Sequence, residues 1–231
     1  MSDVVGRLIE IFREMRRELE ETGWLVDDPE SSKWWGGAES PDEVVITAIL
    51  VQQTRWEVVN EVLNRLRALG LNKIESLANV RPEDLAEVVK GVNYRFTKAL
   101  RLTRLARAIT EIGGLNALRL RSDVRDLLLR QDGVGEETAD SIMLFALNIP
   151  SIPISQYTRR VIGRVLGVDF GGNYRAWKDY LERLLPRDLY VYKLFHAAVV
   201  TIGKKYCLKD EPRCGECPLR GVCRHAQGLK Y

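Results

Sequence analysis

The chain has 231 residues, 45 % of them hydrophobic, and its 35 basic against 32 acidic side chains leave a formal net charge of +3. That content suffices for a real core in one large domain or two small ones. No run approaches the ~18 apolar residues of a membrane span. The charged opening "MSDVVGRLIEIFREMRRELEE" has neither the apolar centre nor the cleavage site of a secretory signal, so an intracellular, cytoplasmic protein without membrane contact is expected.

Residues 4–19 carry Val4, Leu8, Phe12, Met15 and Leu19 at helical spacing, with Ile11 beside them, which predicts one amphipathic helix. "DDPESSKWWGGAESPDE" follows as a polar loop with Gly and Pro, and its polarity predicts that Trp34 and Trp35 are exposed. Ser40, with Pro41 in the first turn and Glu43 three residues on, marks a helix start that continues into the buried run "VVITAILVQQT". Further helices are predicted over 56–69, 73–79, 82–89, 94–112, 115–119, 123–130, 136–147, 156–166, 174–184 and 187–203. No strand alternation, repeat or low-complexity segment interrupts them, so the fold class is all-α.

Charge is unevenly spread. Residues 9–30 are acidic, while basic side chains gather at 95–107, 158–164 and 204–224. Local basic surface on a nearly neutral protein can still hold a polyanion. Arg95, Lys98, Arg101, Arg104 and Arg107 recur every three residues, a spacing that drifts around a helix and reads as a solvated surface, part of which could face DNA.

Two motifs carry chemistry. Cys207, Cys214, Cys217 and Cys223, in the pattern Cys-x6-Cys-x2-Cys-x5-Cys, place four thiols within 17 residues and beside Pro212 and Pro218. Such a loop can wrap one tetrahedral metal or one cubane cluster, or hold free thiols; structural zinc sites usually pair two Cys-x2-Cys knuckles, and only one is present. The second motif is Gly133-Val134-Gly135, a tight turn between two predicted helices. Glycines allow positive φ and close backbone approach, and the unpaired amides at the start of the second helix can hydrogen-bond a phosphate without reading sequence.

The cysteine spacing matches that of the endonuclease III family of DNA repair enzymes, whose C-terminal loop holds a [4Fe–4S] cluster. "QDGVGEETA" resembles the "LPGVGxxTA" helix–hairpin–helix of the same glycosylase superfamily, with Gln131-Asp132 in place of Leu-Pro. "SPDEVVITAILVQQTRWEVV" is similar to the early buried helix that ends in a pocket glutamine, which falls at Gln53. "WWGG", "QQTRW" and "GEETADSI" together resemble most the branch that removes alkylated purines. Two departures stand out. Bifunctional relatives place an amine two residues after the second hairpin glycine, where this chain has Glu137. The catalytic aspartate would lie 18 residues further on (155 − 137 = 18), and the sequence reads Ser155-Gln156-Tyr157-Thr158.

The resemblance therefore implies an all-α, two-domain helix–hairpin–helix DNA glycosylase fold. Residues 38–150 would form one domain ending in the hairpin, and residues 1–37 plus 151–231 a second carrying the cluster. The implied partner is double-stranded DNA with a damaged base, bound by a monomeric, nucleoid-associated enzyme. The implied reaction is hydrolysis of the N-glycosidic bond of an alkylated purine, with hypoxanthine or oxidised guanine next. It would run without strand cleavage, since Glu137 offers no amine for a Schiff base. Ser155 and Gln156 can at most hold a water, so Glu137 is the preferred acid; a capping or lining role for it is the alternative. Trp34, Trp35, Trp56, Tyr94 and Tyr157 lie in or beside these motifs and, with Gln53, are candidates to grip a flipped, cationic base; a place in the core is the alternative for each aromatic, less so for Trp34 and Trp35 in their polar loop. A non-catalytic binder of damaged or abasic DNA is the rival, favoured by Ser155.

Overall fold

In the computed structural model, which describes residues 2–229, every regular element is helical. Helices α1 (Ser2–Glu14) and α2 (Arg16–Glu21) precede a 3-10 turn at Ser32–Trp34. There follow α3 (Pro41–Leu50), α4 (Trp56–Ala68), α5 (Ile74–Ala78), α6 (Pro82–Val88), α7 (Arg95–Ile112), α8 (Gly114–Arg119), α9 (Val124–Leu129) and α10 (Glu136–Ser141). A π-turn at Ile142–Ala146 then leads to α11 (Gln156–Leu166), α12 (Tyr174–Leu184) and α13 (Leu189–Lys205). Among the described residues, no helix is long and apolar enough to cross a membrane.

The chain divides into two compact units, one of Ala38–Ile149 and one that joins the residues up to Gly37 with those from Pro150 on. In the first, α3 is the hub. Its N-cap Ser40 accepts from the Glu43 amide, Pro41 occupies the first turn, and Glu43 to Leu50 are all buried. Val44, Ile46, Ile49 and Leu50 form its core with Val59, Val62 and Leu66 of α4 and Leu102 and Leu105 of α7. In the second unit α13 is buried from Val191 to Gly203 and packs against α11 and α1, with Phe12 edge-on to Phe195 at 6.0 Å between centroids. Such all-round burial is the signature of a central helix.

Four expectations need correction. The single helix over 4–19 is broken at Met15, where ψ is 2°, although the hydrogen bonds from Met15 to Ile11 and from Leu19 to Met15 carry the chain through. The helix beginning at Ser40 stops at Leu50, not residue 54, because Gln53 adopts left-handed φ of 53°. Trp34 and Trp35 are buried, at 0 % and 8 % exposure. Their loop is polar because it solvates its own ring: the Trp34 indole N–H donates to the Asp27 and Asp28 carbonyls, and the two tryptophans lie against Tyr190 and His196 respectively. Lys98 is not part of a solvated surface but is buried at 3 % exposure, on the same helical stripe as Leu102, Leu105 and Ile109.

Candidate functional site

The hairpin joins α9 to α10 through Gly133, Val134 and Gly135. Gly133 has φ +81°, a conformation that calls for glycine, and a Cβ there would also press on the Arg101 side chain. Arg101 in turn pairs with Asp132 at 3.2 Å, which pins the arginine beside the turn. Val134 is buried and anchors the loop from below. Gly135 is the N-cap of α10; it is exposed, it has no side chain with which to cap the helix, and a Cβ there would meet nothing within 4 Å. The start of α10 thus presents main-chain amides to open space.

The two glutamates after the turn divide their roles. Glu136 reaches Arg125 at 3.6 Å, and the same guanidinium forms a two-pronged pair with the fully buried Asp140, at 2.9 and 3.1 Å. Arg125 therefore clamps α9 to α10 and draws the Glu136 carboxylate toward the α9 side. Glu137, the second residue of α10, is exposed. A carboxylate in the first turn of a helix is favoured in its ionised form by the positive end of the peptide dipoles.

Sequence reasoning selected Gln53 and passed over its neighbour. Gln52 is the residue that touches the hairpin: its amide donates to the Gly133 carbonyl at 3.0 Å and to Thr138 Oγ1 at 3.2 Å. Gln53 is exposed, with its carbonyl accepting from the Asn93 side chain. Tyr94 beside it also has a left-handed backbone, φ 56°, and is 68 % exposed; Phe96 is exposed as well, beneath the Arg95 guanidinium at 4.6 Å. Left-handed non-glycine residues cost energy and collect at functional sites. Trp56 opens α4 and is half-buried.

In the other unit, Ser155 is the N-cap of α11. Its hydroxyl accepts from the Thr158 amide at 3.1 Å while the Thr158 hydroxyl accepts from the Ser155 amide at 3.3 Å, a reciprocal capping box. Serine and aspartate are interchangeable in that duty, which explains how the helix tolerates the exchange. Gln156 is exposed. Tyr157 lies flat on α13: a Cβ at Gly203 would come within 2.5 Å of its ring, and Arg160 stacks over the ring at 5.2 Å. A separate aromatic cluster, overlooked in the sequence, surrounds His196, with Trp24 edge-on at 5.6 Å and Trp35 stacked at 6.4 Å. Burial pushes the His196 imidazole down to about 4, against a hydrogen bond to the Pro153 carbonyl that favours its protonated form, so it is neutral at neutral pH.

The four cysteines line one cavity with Arg164, Ile202 and Leu219, and none of them is in a disulfide. No group of three or more His, Cys, Asp or Glu side chains among the described residues is arranged to hold a single metal ion. Arg164 donates to Cys207 Sγ at 3.3 Å and to the Leu208 and Lys209 carbonyls, and Arg160 donates to the Cys207 and Gly203 carbonyls. The far end of the loop returns to α11, where the Arg224 and His225 amides bond the Val165 and Arg164 carbonyls. Burial pushes the Cys217 thiol up to about 11 and raises Cys223 as well. Thiolates here need a cationic partner.

The model of the HhH-GPD superfamily of base excision DNA repair proteins matches residues 46–203. A candidate DNA repair glycosylase of Methanocaldococcus jannaschii is 35 % identical over 204 residues, covering 86 % of this chain and 92 % of the relative. Endonuclease III of Bacillus subtilis is 29 % identical, covering 81 % and 83 %. Among solved structures, a trapped endonuclease III–DNA covalent intermediate superposes with a TM-score of 0.70 at 21 % identity, covering 95 % of this chain and 97 % of that one. A Helicobacter pylori 3-methyladenine DNA glycosylase bound to 1,N6-ethenoadenine gives 0.67 at 22 % identity, covering 84 % and 97 %. A match that takes in both the α3 hub and the hairpin, together with so complete a relative, means that the chain belongs to the HhH-GPD superfamily of base excision DNA repair proteins.

Proposed function

We propose that this chain is a monofunctional DNA glycosylase that hydrolyses the N-glycosidic bond of an alkylated purine in double-stranded DNA and acts as a monomer. The observation that carries the reading is Glu137: an exposed carboxylate, not an amine, occupies the second position of α10 beside the hairpin. Without an amine there, no Schiff base forms with the sugar and the strand stays intact. Cleavage of the glycosidic bond develops oxocarbenium character on the sugar, and the Glu137 carboxylate can stabilise that charge or orient the attacking water. A cationic alkylated base is already a good leaving group, so a modest acid suffices for it and fails for neutral lesions.

The main-chain amides of Gly133 and Gly135 would hold a backbone phosphate without sequence preference, while Val134, whose amide is spent on the Gln131 carbonyl at 3.1 Å, would keep the turn in shape. Gln53, Trp35, Trp56 and Tyr157 are the proposed contacts to the flipped base, as aromatic faces suit a delocalised cation. Trp34 keeps a weaker claim, because its ring is enclosed and its N–H is spent on Asp27 and Asp28.

The proposed cofactor is a [4Fe–4S] cluster on Cys207, Cys214, Cys217 and Cys223. The donor set fits: a lone tetrahedral zinc would need its sulfurs about 3.8 Å apart, whereas a cubane spreads four thiolates around a larger body. All four cysteines line one cavity, and a cubane needs one thiolate per iron, which supports the larger group. When bound, the cluster would cross-link the loop to the end of α11.

Ser155 favours a second reading, a non-catalytic binder of damaged or abasic DNA, because its hydroxyl is committed to capping α11. Single-turnover assays on duplexes bearing alkylpurine, hypoxanthine or oxidised guanine, with and without alkali, separate the two. The expected product is alkylated base released with the strand intact until alkali is added, and with no borohydride-trapped adduct. Binding without release of any base establishes the second reading, and a trapped adduct overturns the monofunctional one.

A further inference from the structure

Lys98 is a buried ammonium whose whole donor capacity is spent on one turn of chain. It donates to the Leu50 carbonyl at 2.7 Å, the Gln52 carbonyl at 2.5 Å and Thr54 Oγ1 at 2.8 Å. Thr54 Oγ1 also accepts from the Asn93 amide, and the Asn93 side chain donates to the Gln53 carbonyl. Gln52 in turn reaches the hairpin. One cation thus organises the turn that carries Gln53 on its surface and grips Gly133 through Gln52.

Its charge has no partner of the usual kind. The ionisable groups on the elements packed against α7 are Asp42 and Glu43 on α3, Glu75 on α5, Glu83, Asp84 and Glu87 on α6, and Arg119 on α8. Glu43 is held by Arg67, Asp84 by Arg81 and Glu87 by Arg95, and among the described residues no carboxylate pairs with Lys98. Arg55 adjoins the turn and Arg101, one turn along α7, holds Asp132. The compensation comes from carbonyl dipoles at the C-terminal end of α3. A buried ammonium without a counter-ion is costly, and capping alone could be done by a neutral group.

We propose that Lys98 is a positioning residue that sets the glutamine turn for contact with DNA at the lesion, and that its protonated form is the competent one. This rests on the glycosylase reading of Gln53 and the hairpin. Burial, with no opposing charge, pushes the ammonium down to about 8. The sign follows: the amine is charged below that value, and as pH rises through it the turn loses a donor and its charge, so affinity falls.

The test uses the full chain and a duplex carrying a non-cleavable abasic analogue. In wild type the Thr54 and Asn93 amide resonances should titrate with a midpoint near 8, and affinity should fall about tenfold through the same range. Lys98→Met should bind about tenfold more weakly at pH 7, with a flat profile above it. Should Lys98→Met fold poorly, the wild-type titration together with Thr54→Val, which removes one acceptor and should weaken binding several-fold, decides the matter. Unchanged affinity in a folded Lys98→Met protein, or amide titration with no parallel change in affinity, overturns the proposal. Coupled titration and affinity in a protein that excises no lesion leaves the proposal standing and sinks the catalytic reading instead.

Discussion

In the proposed reading positions 137 and 155 carry the chemistry, and each residue there has a local physical consequence. Glu137 places a carboxylate in the first turn of α10. Ser155 keeps α11 capped without supplying a charge. Glu137→Gln should lower single-turnover excision of an alkylpurine by about 100-fold, the usual scale of one acid–base group, with little change in melting temperature because the side chain is exposed. Ser155→Asp should retain the cap, stay within roughly 0.5 kcal/mol of wild-type stability, and extend excision to neutral lesions. Full activity in Glu137→Gln would remove Glu137 as the acid and leave an attenuated site. Both departures were legible in the sequence because they sit at fixed offsets from the two hairpin glycines. The capping box was not singled out there, and it is the structure that assigns the Ser155 hydroxyl to the helix. Lys98 left a trace that was not used: it falls on the Leu102, Leu105 and Ile109 stripe, where a solvated lysine does not belong.

At the scale of elements, helices were readable because their signals are local. Ser40-Pro41 at the start of α3 and Gly167 with φ 68° at the end of α11 act within a few residues of themselves. Where α3 stops was not readable, since Gln53 turns left-handed within a web of bonds to Lys98 and Asn93, both some 40 residues away. The start of α3 also carries a buried charge. The Glu43 carboxylate accepts from Arg67 at 2.8 and 2.7 Å, from the Asn72 side chain at 3.0 Å and from the Glu39 amide at 2.7 Å. Burial alone would push this carboxyl up, but those donors outweigh it and hold it below its ordinary value of 4.5. A depressed carboxylate stabilises the fold above its unfolded value, and that contribution is lost as pH falls through the folded one. Glu43→Gln should therefore cost roughly 2 kcal/mol at pH 7 by removing the buried carboxylate that Arg67 meets at 2.7 Å and leaving that guanidinium only Glu39 at 3.6 Å, and the gap to wild type should narrow below the ordinary value of 4.5. Chemical denaturation across that range checks both; a gap that stays constant in acid would mean that Glu43 is held by shape and not by charge.

For the whole molecule, the C-terminal loop is the test of how far composition reaches. Four cysteines in 17 residues are visible at any scale of reading, and the proposed cluster rests on them. Purified anaerobically, the protein should contain about four irons and four sulfides per chain. Cys217→Ser should lose that content together with thermal stability and DNA affinity, because the loop returns to α11 through Arg164 and the Arg224 amide. Stoichiometric zinc without sulfide would overturn the cluster. The sequence by itself determined the helical class, the hairpin, the cysteine set and the missing amine and aspartate, all of which are written in spacings of a few residues. Only the tertiary structure decided that Trp34 and Trp35 are enclosed, that Gln52 and not Gln53 holds the hairpin, that Arg125 takes Glu136 and Asp140, and that Lys98 is buried. Each of those outcomes depends on a partner 11 to more than 150 residues distant, such as Tyr190 for Trp34 or Leu50 for Lys98, and burial is a property of such partners and not of the residue's own neighbourhood in the chain.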